Sequence, residues 1–236
     1  MPTLDPGLRS LREVVCAANL ELHRQGLVLY TFGNASGIDR ERGLVAIKPS
    51  GIDYQELTPD RLVIVDLQNR VVEGSMRPSS DTRTHTALYR AWTDIGGVAH
   101  THSIQATAWC QAGRELPCLG TTHADHCHGP VPCTVPPSAA EIEAEYEEAT
   151  GQQILNAFIG RDHRSVPMVL VARHGPFTWG ASPAQAVYHA VVLERLALLA
   201  TVTRTIDPSV DALPAAILDK HYFRKHGPSA TYGQHS

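Results

Sequence analysis

The spacing of apolar residues along the chain predicts helices that alternate with short strands. After Asp5-Pro6, leucine, valine and alanine side chains recur every three or four residues up to Gly26 (Leu8, Leu11, Val15, Ala18, Leu22). An acidic N-cap followed by proline, and a glycine after the last apolar position, are typical of helix boundaries. We therefore expect a first amphipathic helix here and further helices over residues 82–92, 103–111, 138–158, 182–203 and 210–222.

Runs of β-branched and other apolar residues lie between these helices and predict a sheet. They cover residues 27–32, 44–48, 62–67, 71–73, 97–102 and 166–172, and the segments G-N-A-S-G, P-S-G and Q-N separate the first four as turns. Short turns between strands favour antiparallel neighbours. In the helix over 138–158, Ser138 and Glu141 form a capping box, and the apolar positions from Ile142 to Ala157 are expected to face the core.

Composition narrows the class of protein. The chain has 236 residues, 43% hydrophobic and 19% charged, which suits one domain over residues 1–236. A formal net charge of −4 without a Lys/Arg run argues against nucleic acid or a membrane surface as partner. The first ten residues lack the apolar region of a secretory signal, and five cysteines without a C-x-x-C pair suit a reducing compartment. We expect a cytoplasmic protein.

The most apolar segment, residues 184–202, is expected to be a core helix. It is interrupted by Gln185, His189, Glu194 and Arg195. A helix that spans a lipid bilayer would bury these polar and charged side chains at high cost. We therefore expect no membrane as partner.

Histidines suggest a metal site. His100 and His102 lie two residues apart on a predicted strand, so their side chains share one face, and the strand over 166–172 leads into His174. Three imidazoles and one carboxylate suit Zn²⁺ or Mn²⁺. His123, His126 and His128 with Cys127 form a rival cluster, and spacing alone does not choose between the two. His85 and His189 are assigned to packing or to the surface.

Two turns combine hydroxyl groups with a cation. Lys48-Pro49-Ser50-Gly51 and Arg77-Pro78-Ser79-Ser80 offer serine hydroxyls and turn N–H groups that can hold a phosphate, with charge from Lys48. Each turn by itself is also compatible with an ordinary surface loop. Asp81 follows the second turn, where it is equally compatible with an N-cap of the next helix.

Eight motifs in order resemble the class II aldolase and L-ribulose-5-phosphate 4-epimerase family, and most closely its epimerases. They are G-N-A-S, K-P-S-G, P-S-S-D-T, H-T-H-S, T-T-H-A-D, R-H-G-P-F, D-K-H-Y and Y-G-Q, which span residues from about Leu8 to Gln234. The resemblance implies an α/β fold with a central, mostly antiparallel sheet and helices on both sides. It also implies a cyclic homotetramer with active sites between subunits.

The resemblance also implies a set of site residues. The metal ligands would be Asp81, His100, His102 and His174, with Zn²⁺ as the cofactor and Mn²⁺ or Co²⁺ as alternatives. The catalytic pair would be Asp125 and Tyr232, with Glu147 and His221 as accessory groups and with the tail 227–236 over a neighbouring subunit's active site. A sugar phosphate would contact Gly33, Asn34, Lys48, Ser50, Gly51, Ser79 and Ser80, and Arg224 would reach its phosphate from an adjacent subunit. The chain departs from the family pattern at His126-Cys127-His128, where aromatic residues are common.

The implied reaction explains why a metal is expected. The hydrogen on C4 of a 2-ketopentose phosphate is not beside the carbonyl, so inversion there needs either transient oxidation or cleavage of the C3–C4 bond. No G-x-G-x-x-G motif follows a predicted strand, so no nucleotide cofactor is expected. Cleavage requires a Schiff-base lysine or a metal, and the three lysines, Lys48, Lys220 and Lys225, lie in a loop and near the C-terminus.

The function expected from these arguments is a metal-dependent isomerase that interconverts L-ribulose 5-phosphate and D-xylulose 5-phosphate by retro-aldol cleavage and re-addition. One alternative is a class II aldolase for fuculose or rhamnulose phosphate. Aldolases of this family tend to carry glutamate where this chain has Asp81. The second alternative is a non-catalytic metal-binding protein built on the histidine clusters.

Overall fold

The computed structural model describes residues 6–227 and residue 230. The helices are α1 (Pro6–Arg24), α2 (Thr82–Ala91), α3 (Ile104–Ala112), α4 (Thr121–Ala124), α5 (Ala139–Ala157), α6 (Pro183–Ile206) and α7 (Ala215–His226). The strands are β1 (Asn34–Asp39), β2 (Leu44–Ile47), β3 (Val63–Asp66), β4 (Val71–Glu73), β5 (Gly97–His100), β6 (Met168–Leu170) and β7 (Pro176–Gly180).

The seven strands form one sheet in the order β4-β3-β2-β1-β5-β7-β6, and every neighbouring pair is antiparallel. This confirms the predicted α/β fold with an antiparallel sheet. The central strands are β1 and β5, where Asn34 pairs with His100. The next pair along, β5 and β7, aligns His100 with Phe177. In both pairings His100 is the last residue of β5, so it lies where the paired strands end.

Alternate residues of β5 point into two different cores. Ala99 packs with Ala18 and Leu22 of α1 and with Ala186 of α6. The neighbouring Val98 belongs to a larger cluster that contains Leu88 and Tyr89 of α2 and Ile154 of α5. Because successive side chains of a strand point to opposite faces, the sheet has helices on both sides.

Two predicted strand boundaries were wrong. Residues 27–32 form no strand, and residues 34–37 of the predicted turn G-N-A-S-G instead lie within β1. β5 ends at His100, so His102 lies beyond the strand. The short strand β7 was not predicted, because its P-F-T-W-G sequence begins with proline and ends with glycine, which are rare in strands.

The helices agree with the predictions except in detail. The capping box of Ser138 and Glu141 is present. Extended backbone angles at Glu145 (φ −163°, ψ 92°) interrupt α5 in its second turn, and Ile142, which precedes the interruption, is exposed rather than part of the core. α4 was not predicted. The last helix begins at Ala215 rather than near Val210, since Pro214 precedes it and Leu213 is held by a hydrogen bond to Cys118.

α6 is long and apolar enough to cross a membrane by length and composition alone. In the structure it packs against β5, β7, α1 and α3. Its Glu194 accepts hydrogen bonds from the backbone N–H groups of Gln105 and Ala106 at the start of α3, both 2.9 Å long. These contacts are typical of a core helix in a globular domain.

Candidate metal centre

A cavity of about 530 Å³ opens at the ends of β1 and β5. Every predicted metal ligand and seven of the eight predicted substrate-binding residues line it: Gly33, Asn34, Lys48, Ser50, Gly51, Ser79, Ser80, Asp81, His100, His102 and His174. Thr31, Phe32 and Pro49 complete the lining. A larger depression of about 870 Å³ lies around Trp109, Arg114 and Arg204, and it contains none of the predicted residues.

Three imidazoles meet in this cavity. His100 is the last residue of β5, His102 follows two residues later, and His174 lies in the turn between β6 and β7. Their potential ligand atoms all lie within 4.8 Å of one another, and the Nε2 atoms of His100 and His102 are 3.1 Å apart. The backbone of Arg173, next to His174, has a positive φ of 64°, a conformation uncommon outside glycine. The turn is therefore shaped to place His174 beside the other two.

The protonation of these imidazoles suits metal binding. His100 Nδ1 donates to the carbonyl oxygen of Pro176 over 3.0 Å, which leaves the Nε2 lone pair directed at His102. Burial lowers the pKa of His100 to about 3, against the opposing effect of Asp81, and burial also lowers the pKa values of His102 and His174. His174 Nδ1 is buried and has no hydrogen-bond partner among the described residues. Neutral imidazoles with free nitrogen atoms fit a divalent cation.

Asp81 lies at the same cavity, although its oxygens fall outside the group formed by the three imidazoles. Asp81 occupies the N-cap position directly before α2, as one of the two interpretations predicted, but its side chain makes no capping hydrogen bond. The Oδ2 atom instead accepts from Asn34 Nδ2 at 2.6 Å and from Ser79 Oγ at 3.3 Å. Burial opposes ionisation of this carboxyl group, but His100, His85 and the Asn34 hydrogen bond hold its pKa below the usual value. The cavity therefore contains one carboxylate beside three neutral imidazoles.

The two serine turns lie side by side. Ser50 N–H donates to Arg77 O (2.9 Å) and Ser79 N–H donates to Lys48 O (3.1 Å), so these two backbone donors are already used. The Ser79 hydroxyl group also donates to Asp81, so the side-chain donors left for a phosphate are the hydroxyl groups of Ser50 and Ser80 and the ammonium group of Lys48. Lys48 is only 1% exposed, and its Nζ donates to Thr31 O over 3.2 Å and lies 4.8 Å from the centre of the Tyr54 ring. Burial lowers the pKa of Lys48 to about 8.

The predicted acid/base group Asp125 does not line the cavity. It ends α4 and faces α7, where its carboxylate accepts from His221 Nδ1 (2.9 Å) and Arg224 Nη2 (3.0 Å) and lies 3.3 Å from Lys225 Nζ. We call these four residues the Asp125 cluster. Burial opposes ionisation of Asp125, but the hydrogen bonds from the three basic residues keep its pKa below the usual value. Asp125 is therefore a carboxylate at neutral pH.

The rival histidine cluster does not form a metal site. His123 Nε2 bonds to Gly129 O, His126 Nδ1 is 3.4 Å from the Tyr188 hydroxyl, and His128 Nε2 bonds to Asp219. The three side chains thus have separate partners. Among the described residues, His100, His102 and His174 form the one group of three potential ligands close enough to hold an ion.

Other predicted positions lie around the cavity or outside the described residues. The ring of Tyr146, beside Glu147, is 5.9 Å from that of His174, and the carbonyl of Glu147 accepts a hydrogen bond from Thr84 of α2. Tyr232, and the tail 227–236 apart from Gly227 and Ala230, lie outside the described residues.

Comparison with known proteins assigns the chain to a family. Residues 13–201 match the sequence model of the Class II Aldolase and Adducin N-terminal domain family. The chain belongs to this family. Its members include lyases and epimerases and are typically dependent on a divalent metal, which agrees with the histidine cluster. The family assignment therefore supports a metal-dependent enzyme whose substrates are consistent with sugar phosphates.

Solved structures agree with this assignment. An L-fuculose 1-phosphate aldolase superposes with a TM-score of 0.76 at 25% identity, covering 90% of this chain and 94% of the aldolase. The L-fuculose-1-phosphate aldolase of Thermus thermophilus gives 0.64 at 25% identity over 86% and 98% of the two chains. That of Glaciozyma antarctica gives 0.76 at 16% identity over 98% and 87%, which supports the fold alone.

Sequence reasoning missed some of the residues that shape this site. The carbonyl of Pro176 orients His100, and the Phe177 ring stacks on the His100 imidazole with 4.1 Å between ring centres. Both belong to the R-H-G-P-F motif, which drew attention only to its histidine. His85 was assigned to packing, and it is fully buried, with a pKa lowered by burial to about 4. Its hydrogen bond to Ser36 could not be predicted while Ser36 was placed in a turn.

Proposed function

We propose that this class II aldolase family member is an L-ribulose-5-phosphate 4-epimerase. The observation that carries the proposal is the cavity in which Asp81, three neutral imidazoles and two serine turns with Lys48 come together. A sugar phosphate needs a cation and hydroxyl groups at one end and a group that stabilises oxyanions at the other. Aspartate at position 81, where related aldolases tend to carry glutamate, favours the epimerase within the family.

His100, His102, His174 and Asp81 would hold the divalent cation, and we propose Zn²⁺, with Mn²⁺ or Co²⁺ as alternatives. When bound, such an ion supplies a Lewis acid for the negative charge that develops next to the ketone as C3–C4 breaks. The hydrogen bonds from Asn34 and Ser79 orient the Asp81 carboxylate before substrate arrives. This orientation reduces the rearrangement required during the reaction.

The proton transfers are assigned to Asp125 and Tyr232. The C4 hydroxyl group must lose its proton when the bond breaks, and the re-formed hydroxyl group must gain one on the opposite face. The ionised state of Asp125 suits the proton acceptor in one direction. A tyrosine of ordinary pKa, near 10, suits the donor. Glu147 and His221 are proposed to support this pair.

The proposal requires more than one subunit, because the Asp125 cluster does not line its own chain's cavity. Leu29, Tyr30 and Phe32 are exposed around the cavity, while Tyr188 and Phe223 are exposed near the Asp125 cluster. We propose that these two apolar surfaces meet between neighbouring subunits. Contact between two different surfaces repeats around a ring, which fits the cyclic homotetramer implied by the family. Arg224 would then reach the next subunit's phosphate-binding turns.

A class II aldolase of the fuculose phosphate type is the alternative function, and the named structural neighbours favour it. Both reactions begin with the same cleavage. An aldolase releases the aldehyde, whereas an epimerase retains it, turns it and adds it again. The choice therefore depends on the fate of the aldehyde.

Product analysis of the metal-loaded protein with L-ribulose 5-phosphate tests the proposal. The expected product is D-xylulose 5-phosphate, and His100→Ala is expected to form none. Accumulation of dihydroxyacetone and glycolaldehyde phosphate would show an aldolase instead. Cleavage of L-fuculose 1-phosphate, with no conversion of L-ribulose 5-phosphate, would lead to the same conclusion.

A further inference from the structure

β1 and α2 are joined by a buried series of polar contacts. Asn34 and Ser36 share one face of β1, and Asp81, His85 and Tyr89 follow one another at intervals of four residues, so they share one face of the helix. Asn34 donates to Asp81 over 2.6 Å, Ser36 Oγ is 2.7 Å from His85 Nδ1, and Ser36 Oγ is 2.9 Å from the Tyr89 hydroxyl. Asn34 thus contacts the start of α2 at Asp81, and Ser36 contacts the following turns at His85 and Tyr89.

The hydroxyl groups determine which nitrogen of His85 carries its proton. Ser36 and Tyr89 together have two hydroxyl hydrogens, and both are used if Tyr89 donates to Ser36 and Ser36 donates to His85 Nδ1. The reverse direction would leave the Tyr89 hydrogen without an acceptor in this network. His85 Nδ1 is then the acceptor, and the neutral ring carries its hydrogen on Nε2.

That Nε2–H group has no hydrogen-bond partner among the described residues, although His85 is 0% exposed. An unmatched donor in a protein interior is unfavourable and requires an explanation. Asp81 lies one helical turn earlier on the same face of α2, and its carboxylate raises the pKa of His85 against the larger opposing effect of burial. The dipole of an N–H group directed toward a carboxylate favours one orientation of that carboxylate.

We propose that His85 is a positioning residue for Asp81. Electrostatic attraction between the Nε2–H side of the ring and the carboxylate favours the orientation in which Asp81 accepts the hydrogen bond from Asn34, and the Ser36–Tyr89 pair keeps the ring in the required tautomer. His85 therefore raises the affinity of the site for its cation without touching the ion. This inference rests on the proposed role of Asp81 as a metal ligand.

Metal affinity tests this role without measuring activity. Zn²⁺ binding, measured by competition with a chromophoric chelator, is expected to be about 10- to 100-fold weaker in His85→Phe, as for other residues that orient a metal ligand. His85→Gln, which keeps an N–H donor, should recover part of that loss. His189→Phe is the control, because His189 is also a partly buried histidine with a hydrogen-bonded ring nitrogen, but it bonds to a backbone carbonyl and lies on α6. It should bind Zn²⁺ like the wild type.

A double-mutant cycle separates action through Asp81 from a general structural effect. In an Asp81→Asn background, His85→Phe should cause little further loss of Zn²⁺ affinity. Full additivity of the two losses would overturn the inference, as would unchanged affinity in His85→Phe. If Asp81→Asn alone leaves affinity unchanged, the ligand role in the proposed function fails together with this inference. If only the His85 variants bind normally, the proposed function stands.

Nitrogen NMR of the wild-type protein gives a test that needs no variant to fold. Labelled histidine shows which ring nitrogen carries hydrogen, and His85 is expected in the Nε2–H tautomer. The Ser36→Ala substitution, which removes the donor to Nδ1, should change the tautomer populations. A wild-type ring with its hydrogen on Nδ1 would exclude the proposed interaction of Nε2–H with Asp81.

Discussion

At the residue scale, the chemistry of Lys48 is determined by its burial. Its ammonium group is almost fully covered, and its contacts are a carbonyl oxygen and an aromatic ring rather than a carboxylate. Desolvation disfavours the charged form of a lysine, and it lowers the pKa of Lys48 to about 8. A phosphate group brought into the cavity would stabilise the charged form again. Lys48 thus couples substrate binding to its own protonation.

This coupling predicts a pH-dependent KM. Below pH 8 the free enzyme carries a charged Lys48, and as the pH rises through about 8 the charge is lost and phosphate binding weakens. KM for the sugar phosphate should then rise by up to about tenfold per pH unit. Lys48→Arg stays charged and should give a flat KM over the same range, although at a higher value. Parallel profiles for the two proteins would show that another group titrates.

A second residue-scale prediction concerns the choice between the histidine clusters. Purified His100→Ala should lose its bound divalent ion, whereas His126→Ala should retain about one ion per subunit. The reason is that His126 contacts Tyr188, whereas His100 meets two further imidazoles. Elemental analysis after dialysis against metal-free buffer measures both variants. Retention of the ion by His100→Ala with loss in His126→Ala would reverse the assignment.

At the element scale, β1 explains why part of the fold could not be predicted. Asn, Ser and Gly favour turns, so G-N-A-S-G was predicted as one. In the structure, Asn34 and Ser36 are buried because α2 supplies their hydrogen-bond partners. A Cβ atom at Gly37 would lie 2.6 Å from Pro183 and 2.8 Å from Val15, so this glycine permits close packing of α6 and α1. Long-range contacts rather than local preference determine this strand.

The distinction between local preference and long-range contacts also applies to the proposed active site. The ligand pattern was visible locally, since His100 and His102 are close in sequence and R-H-G-P-F follows a strand. The approach of His174 depends on the pairing of β5 with β7, and β7 was not predicted. The basic partners of Asp125 lie about a hundred residues away on α7 and carry no local signal. Motifs thus indicated the members of the site, and only the folded chain showed their contacts.

The turn between β6 and β7 yields an element-scale prediction. A Cβ atom at Gly175 would lie 2.6 Å from the carbonyl oxygen of Thr101 and 3.2 Å from Cε1 of His100. Gly175→Ala should therefore push the His174 turn away from β5 and weaken Zn²⁺ binding by about tenfold or more. Gly120→Ala is the control, because nothing lies within 4 Å of its Cβ position. Equal Zn²⁺ affinity in both variants would show that the turn adapts.

At the scale of the whole molecule, the residues of the proposed active site lie in two separate places. The histidine cavity and the Asp125 cluster are separate in the described structure, and each has exposed aromatic or aliphatic residues close by. Stability explains little of this arrangement, because several charged groups gather around Asp125 at a partly exposed position where ion pairs contribute little. An active site shared between subunits would explain both the separation of the cavity from the Asp125 cluster and the exposed apolar residues beside each of them.

Subunit mixing provides the test of the shared site. His100→Ala and Asp125→Asn should each be inactive as pure oligomers. After unfolding and refolding as an equal mixture, one subunit's intact histidine cavity can meet the Asp125 of its neighbour, so about a quarter of the sites in a cyclic assembly should be active. A mixture of His100→Ala with His174→Ala should stay inactive, because both changes damage the same half of the site. If the first mixture also shows no recovery although light scattering detects mixed oligomers, the catalytic groups must come from one chain.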